Sequence, residues 1–163
     1  MSGFLESEYD LGMCQLKRPN IEQARKIAQT LGGIDPWKTL GTSVKGMGNY
    51  FATNSQEAQR LAIFRNGQIC GIICVKTQWL LGPYLDFLGI LPEAQGTGLG
   101  RAVMNWMEEE ARKTRARNIF LCVSDFNKDA ITFYKACGYE LSATLDGLIV
   151  DDHGELLMRK RLF

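Results

Sequence analysis

At 163 residues with a hydrophobic share of 45%, the chain is long enough to form one domain, residues 1–163, around its own core. A net charge of +1, with the basic residues spread along the sequence, gives no field for nucleic acid, so small or locally recognised partners are expected. No apolar run reaches the ~18 residues of a membrane span, and no charged region followed by a continuous apolar stretch opens the N-terminus, so a cytoplasmic protein with no membrane contact is expected.

Leu11 to Lys17 reads as a first strand, and Pro19-Asn20 then opens a helix with the apolar stripe Ile21, Ala24, Ile27, Ala28 and Leu31, stopped by Gly32-Gly33. A second helix is predicted over Ser43 to Thr53. Gly46 and Gly48 each weaken it by about 1 kcal/mol of propensity, which predicts a mobile region. Arg60 to Arg65 and Gln68 to Lys76 flank Asn66-Gly67, a dipeptide suited to a type I′ hairpin turn. A further strand, Leu85 to Leu91, runs into a glycine-rich turn and then a helix whose apolar face is Leu99, Ala102, Val103, Trp106 and Met107. The opposite face is expected to be solvated, with Glu108/Arg112 and Glu109/Lys113 spaced for ion pairs. Ile119 to Ser124 is a strand, Asn127 to Cys137 a helix ended by Gly138, and Tyr139 to Leu145 with Glu155 to Leu162 a closing antiparallel pair. This order predicts one mixed α/β sheet. The five cysteines form no C-x-x-C pair, so reduced thiols and no metal site are expected.

The turn Gly89-Ile90-Leu91-Pro92-Glu93-Ala94-Gln95-Gly96-Thr97-Gly98-Leu99-Gly100-Arg101 carries the functional signal. Glycines let the backbone approach a ligand, and the free amides and positive dipole end of the helix favour a phosphate. A P-loop is excluded because Arg101-Ala102 follows the last glycine where Lys and a hydroxyl are required. A dinucleotide fingerprint has an acid available in Asp125, but its third glycine falls on Arg101 or Val103.

Gln95, Gly98 and Gly100, with Ile90 and Pro92 upstream, resemble the Arg/Gln-x-x-Gly-x-Gly/Ala turn of the GNAT family of acyl-CoA-dependent N-acyltransferases. Asn127, Ala130, Phe133, Tyr134 and Gly138-Tyr139 resemble that family's Asn-x-x-Ala-x-x-Phe-Tyr-x-x-x-Gly-Phe segment, and the order of elements fits over essentially the whole chain. Asp35-Pro36-Trp37 and the ending Met158 to Leu162 look similar to the branch that acetylates protein N-termini.

The resemblance implies a mostly antiparallel mixed sheet with a splayed central strand pair and helices on both faces. It implies acetyl-CoA as co-substrate and direct attack by an amine in a ternary complex, with an oxyanion to stabilise and two protons to manage. By the same resemblance, the backbone of Leu88 and Ile90 binds the pantetheine arm, and the Ile90 N–H points at the thioester oxygen. Gln95, Gly96, Gly98, Gly100 and Arg101 present N–H groups to the pyrophosphate. Asn127 is a cofactor contact or simply a helix cap. Tyr134 is the acid that protonates the leaving thiolate, or a core tyrosine. Asp86 is the best-placed base, acting through water, or a solvent-facing strand residue. His153 reads as a turn residue. A lysine amine costs about 4.6 kcal/mol to deprotonate at pH 7 and an α-amine about 1.1 kcal/mol, so the lack of an obvious strong base leans toward an α-amine or a weakly basic acceptor. Trp37, Tyr50, Phe51, Trp79 and Tyr84 either line an acceptor groove or form satellite core or a homodimer contact. Two other classes remain open, a non-catalytic acyl-CoA sensor and a dinucleotide-binding oxidoreductase.

Overall fold

The computed structural model describes residues 2–163. Where one strand is predicted over Leu11 to Lys17, the chain makes a hairpin of β1 (Glu8–Asp10) and β2 (Gln15–Lys17). The reason is local. Gly12 sits at φ +79° and donates its N–H to the Asp10 carboxylate at 2.9 Å, while the Leu11 N–H bonds the Cys14 carbonyl across the turn.

Helix α1 (Ile21–Leu31) starts in a capping box: the Asn20 side chain accepts the Gln23 N–H at 2.8 Å and the Gln23 side chain accepts the Asn20 N–H at 2.9 Å. Ala24, Ile27, Ala28 and Leu31 are buried as the stripe predicts, while Ile21 stays exposed. Replacing Asn20 by Ala is expected to cost about 1 kcal/mol, read as a lower urea midpoint at unchanged slope.

Helix α2 (Val44–Ala52) forms in full despite its glycines, capped by the Ser43 hydroxyl on the Gly46 N–H at 3.0 Å. Tertiary packing outweighs propensity here. A β-carbon at Gly48 would stand 3.5 to 3.7 Å from Arg25 and Ala28, an ordinary packing distance, so α2 lies against α1 without the position having to be bare.

β3 (Ala58–Arg65) and β4 (Gln68–Trp79) pair across Asn66 and Gly67, which hold φ +52° and +74° as a type I′ turn demands. β5 (Gly82–Ile90), α3 (Leu99–Lys113), β6 (Asn118–Ser124), α4 (Lys128–Ala136), β7 (Glu140–Asp146) and β8 (Gly154–Arg161) complete the chain. The eight strands run β1-β2-β3-β4-β5-β6-β8-β7, antiparallel except for the pair β5 and β6. α1 and α2 cover one face over a core that includes Phe51, Ile72 and Cys74, and α3 and α4 cover the other over Val103, Met107, Leu121 and Tyr139. This is the expected mixed sheet with helices on both faces.

The outer face of α3 departs from the solvated stripe predicted for it. Glu108 and Arg112 do approach, at 3.8 Å, but Lys113 turns to Glu110 instead of Glu109. Glu108 and Glu110 are themselves buried, because the chain ends fold over them: Lys160 of β8 bonds Glu108 at 2.8 Å, and Glu110 accepts the Phe4 N–H at 2.7 Å. No helix among the described residues is long and apolar enough to cross a membrane.

Candidate active site

The site begins where two parallel strands part. β5 and β6 are in register only at Tyr84↔Phe120 and Leu85↔Leu121. At the next residue β5 carries a bulge: Phe87 pairs with Cys74 and Leu85 with Val75, which leaves Asp86 as the extra residue. Beyond it β5 keeps β4 and leaves β6.

The alternation of an antiparallel ladder then decides which backbone groups are free. The Leu91 N–H bonds the Cys70 carbonyl at 2.8 Å, so Leu91, Gly89 and Phe87 face β4, and the N–H and C=O of Leu88 and Ile90 face the gap. The side chains of Leu88 and Ile90 pack on the α3 and α4 side of the core, so apolar side chains and backbone turned from the ladder occur in the same two residues, the Ile90 carbonyl being taken by the Gln95 side chain.

β5 ends in a short 3₁₀ turn (Pro92–Ala94) that feeds the glycine-rich loop. Gly96 and Gly98 hold φ +71° and +86°, conformations that disfavour any side chain. Gly98 is the N-cap of α3 and offers no side-chain cap, unlike Asn20, Ser43 and Asn127 at the other helices. The first helical bond runs from the Ala102 N–H to the Gly98 carbonyl, so the amides of Leu99, Gly100 and Arg101 point out of the helix end with no acidic residue in the first turn. Gly100 is bare for a packing reason, since a β-carbon there would stand 3.1 Å from the Phe133 ring. Gln95 differs from its expected role. Its N–H closes the 3₁₀ turn onto the Pro92 carbonyl at 3.3 Å, and its side-chain amide donates to the Ile90 carbonyl at 3.0 Å, so it braces the strand end.

A cleft of about 650 Å³ runs from this loop to the gap, between Gly96, Gly98 and Arg101 on one side and Asn127, Phe133 and Tyr134 on the other. Asp35, Pro36 and Trp37, from the loop between α1 and α2, overhang it. A smaller cavity of about 110 Å³ lies in the gap itself, lined by Asp86, Leu88, Cys122, Ser124, Asn127 and Tyr134 among others. The two share Pro36, Trp37, Leu88, Asn127, Ala130 and Tyr134. The open loop, free amides and long cleft suit an extended phosphate-bearing ligand whose far end enters the gap.

α4 holds the residues facing Leu88 and Ile90. Asn127 caps it through a long 3.4 Å bond from the Ala130 N–H, and the same residue lines both cavities, so cap and contact coexist. The Arg101 guanidinium donates to the Ala136 carbonyl at 3.0 Å and ties the end of α4 to the start of α3. Tyr134 is buried against Phe133 and Tyr139, yet it reaches both cavities. Burial pushes its phenol well above the usual tyrosine value, so the group holds its proton at neutral pH.

On the other side of the gap, Asp86 is neither solvent-facing nor free. Its carboxylate accepts the Tyr50 hydroxyl from α2 and lies 3.2 Å from the Lys76 ammonium. The five aromatics divide. Trp37 lines the gap and stacks on Phe87 at 4.6 Å, Tyr50 serves Asp86, Phe51 is core, and Trp79 and Tyr84 pack with each other, Trp79 also on Phe120. His153 stays in its turn, 3.4 Å from Asp125. The Gly154 N–H and this imidazole both hold the Asp125 carboxyl below the usual aspartate range.

Sequence reasoning did not single out Ser124 and Glu155. The Ser124 hydroxyl donates to the Glu155 carboxylate at 2.5 Å, and both are buried beside the gap. They meet because β8 inserts beside β6 and brings Ser124 opposite Glu155. Nothing in the local sequence of either strand records that neighbour.

The family model described as the acetyltransferase (GNAT) family matches residues 28–139. The aminoalkylphosphonate N-acetyltransferase of Salmonella typhimurium is 34% identical over 89 residues, which is 51% of this chain and 56% of that protein. The chain thus spans about half the length of the curated relatives it matches. Among solved structures, the ribosomal-protein-S18-alanine N-acetyltransferase from Escherichia coli superposes with a TM-score of 0.73 at 19% identity, covering 92% of this chain and 94% of that one. A Bacillus anthracis acetyltransferase solved in complex with acetyl coenzyme A gives 0.60 at 18% identity over 66% and 64%. At these identities the two structures speak for the fold.

Proposed function

Since the chain belongs to the acetyltransferase (GNAT) family, we propose that it moves an acetyl group from acetyl-CoA to a primary amine by direct attack within one ternary complex. The observation that carries this is the junction of the two cavities at Leu88, Asn127 and Tyr134, where a cofactor cleft and an acceptor pocket meet beside unpaired strand backbone. Bound acetyl-CoA supplies the activated acetyl thioester.

The amides of Gly96, Gly98, Gly100 and Arg101 hold the pyrophosphate, with Gln95 bracing the loop through Ile90. Leu88 and Ile90 take the pantetheine arm as a strand takes its neighbour, and the Ile90 N–H stands ready to donate to the carbonyl oxygen as charge gathers there. Asn127 fixes the arm from the facing helix. Tyr134 donates its phenolic proton to the departing sulfur. Asp86, already engaged by Tyr50 and Lys76, attracts the acceptor's ammonium more readily than it removes a proton from it.

The first test is the melting temperature with saturating acetyl-CoA and, separately, with NADH. A ligand at a hundredfold excess over its Kd adds about 2.7 kcal/mol, which is a shift of about 5 to 10 °C for a chain of this size. Acetyl-CoA alone is expected to produce it. A shift with NADH instead returns the chain to the dinucleotide-binding class. Release of CoA thiol is then followed with a peptide bearing an N-terminal alanine, an aminoalkylphosphonate and spermidine. Binding without thiol release on any of them marks an acyl-CoA sensor.

A further inference from the structure

Three carboxylates are buried among the described residues, and they are not equivalent. Glu108 and Glu110 each have a lysine partner, Lys160 and Lys113. Glu155 has none. It is 4% exposed and its hydrogen-bonding partner is neutral, the 3% exposed hydroxyl of Ser124. Buried charge without a cation is costly, and a fold that needed only stability would place Gln or an apolar residue there.

Among the described residues, one neighbour offsets the Glu155 charge, the imidazole of His153. β6 contributes Cys122, the residue that follows the strand is Asp125, β5 contributes Tyr84, and the turn before β8 contributes His153, whose imidazole already pairs with Asp125. On β7 the residue opposite Glu155 is Leu145. Burial pushes the Glu155 carboxyl above the usual glutamate value, with the Ser124 bond pulling the other way. Ser124, in turn, lines the small cavity shared by Leu88, Asn127 and Tyr134. At about 110 Å³ that cavity has room for one amine head group or about three waters.

We propose that Ser124 and Glu155 form the proton exit for the acceptor amine, with Ser124 touching the nitrogen and Glu155 behind it as the positioning residue that receives the proton. The proposal rests on the transferase reading given above. An acceptor arriving as RNH₃⁺ passes one proton to the Ser124 oxygen while the Ser124 hydroxyl proton moves to the Glu155 carboxylate. The freed lone pair forms the N–C bond to the acetyl carbon, and the C–S bond breaks with its electron pair on sulfur. Tyr134 gives its proton to that sulfur and is refilled by the second proton of the nitrogen. Glu155 returns its proton to solvent, so the sum is amide, CoA thiol and one released proton.

Glu155→Gln keeps an acceptor for the Ser124 hydroxyl and removes the charge, and Ser124→Ala removes the hydroxyl alone. With the fastest acceptor among the N-terminal-alanine peptide, the aminoalkylphosphonate and spermidine, kcat/KM is measured from pH 6 to 9. For the peptide, both variants are expected to lose about tenfold at pH 7 and to come within about twofold of wild type at pH 9, where an α-amine is already neutral. For spermidine, whose amines stay charged, the loss persists to pH 9. Ser124→Thr is expected to restore activity.

The charge also predicts a stability signature that a merely structural pair would not show. A carboxyl whose folded pKa is raised contributes stability that is fully present below its unfolded value near 4.3 and is lost as pH rises through the folded value. Glu155→Gln is therefore expected to melt higher than wild type at pH 7 and at the same temperature at pH 4. Full activity in both variants, or a loss in the peptide reaction that is equal at pH 7 and pH 9, overturns the relay. The acetyl-CoA melting shift, measured on each variant, survives in that case and keeps the transferase reading. No turnover by wild type with any of the three amines overturns the transferase reading and the relay with it.

Discussion

Tyr134→Phe is expected to lower kcat about a hundredfold while leaving the acetyl-CoA melting shift and the melting temperature of the free protein nearly unchanged. The ring keeps its packing against Phe133 and Tyr139. Among the described residues no side chain or backbone group bonds the phenol oxygen, and Tyr134 lines both cavities, so removing that oxygen orphans no partner. What is lost is the proton for the leaving sulfur, and a general acid is worth about 10² to 10⁴ in rate. The hundredfold estimate is at the low end because a thiolate, with a pKa near 8.5, is a tolerable leaving group without help. Burial raises the phenol, but it raises the thiol beside it in the same sense, so the proton still has somewhere to go. An unchanged kcat would remove Tyr134 from the chemistry and leave it a core residue. A lost melting shift would make it a binding residue instead.

A large stability effect is expected at Gly71. Gly71 lies opposite Ile90 in the β4 and β5 ladder, and a β-carbon there would stand 2.2 Å from the Gly89 carbonyl oxygen and 3.1 Å from the Ile90 Cα. Both are backbone atoms of a central strand. No rotamer change relieves the clash, and the strands themselves must separate. Gly71→Ala is expected to cost about 3 kcal/mol, a fall in melting temperature of about 6 to 12 °C. It should also weaken acetyl-CoA binding, because the displaced strand is the one that carries the Leu88 and Ile90 backbone. Gly33→Ala, whose nearest contact would be the Thr30 carbonyl at 3.5 Å, serves as the control and should change stability by less than about 1 kcal/mol. If the two variants melt together, the close approach of β4 to β5 is softer than its geometry implies.

Local signals carried most of the architecture. The helix start at Pro19-Asn20, the Asn66-Gly67 turn and the strand-turn-helix run of the glycine loop all depend on residues within a few positions of each other, and all three form as read. The misreadings share a cause. Gly12 broke a strand because Asp10 offers its N–H a better bond, a choice invisible to apolar periodicity. Glu108 read as solvated, and Lys113 as a partner of Glu109, because Lys160, which covers Glu108, and the segment at Phe4, which covers Glu110, come from far along the chain. The glycine loop and Tyr134 were legible because they sit in contiguous motifs. Gln95 was legible in place and not in function, since only the 3₁₀ turn shows that its N–H is already used. Glu155 was not legible at all, because its significance depends on strand order, on an absent cation and on a cavity assembled from four elements.

The parting of β5 and β6 gives this sheet an edge in its middle. Edge strands ordinarily invite the strands of other molecules, and proteins blunt them with charge, proline or a bulge. Here the exposed rungs at Leu88 and Ile90 are recessed between α4 and the Trp37 loop, where a rigid neighbouring sheet cannot follow but a single thin chain can. A metabolite that adds the missing rungs also closes the weakest seam in the sheet, so the lifetime of the fold should rise and fall with the supply of that metabolite.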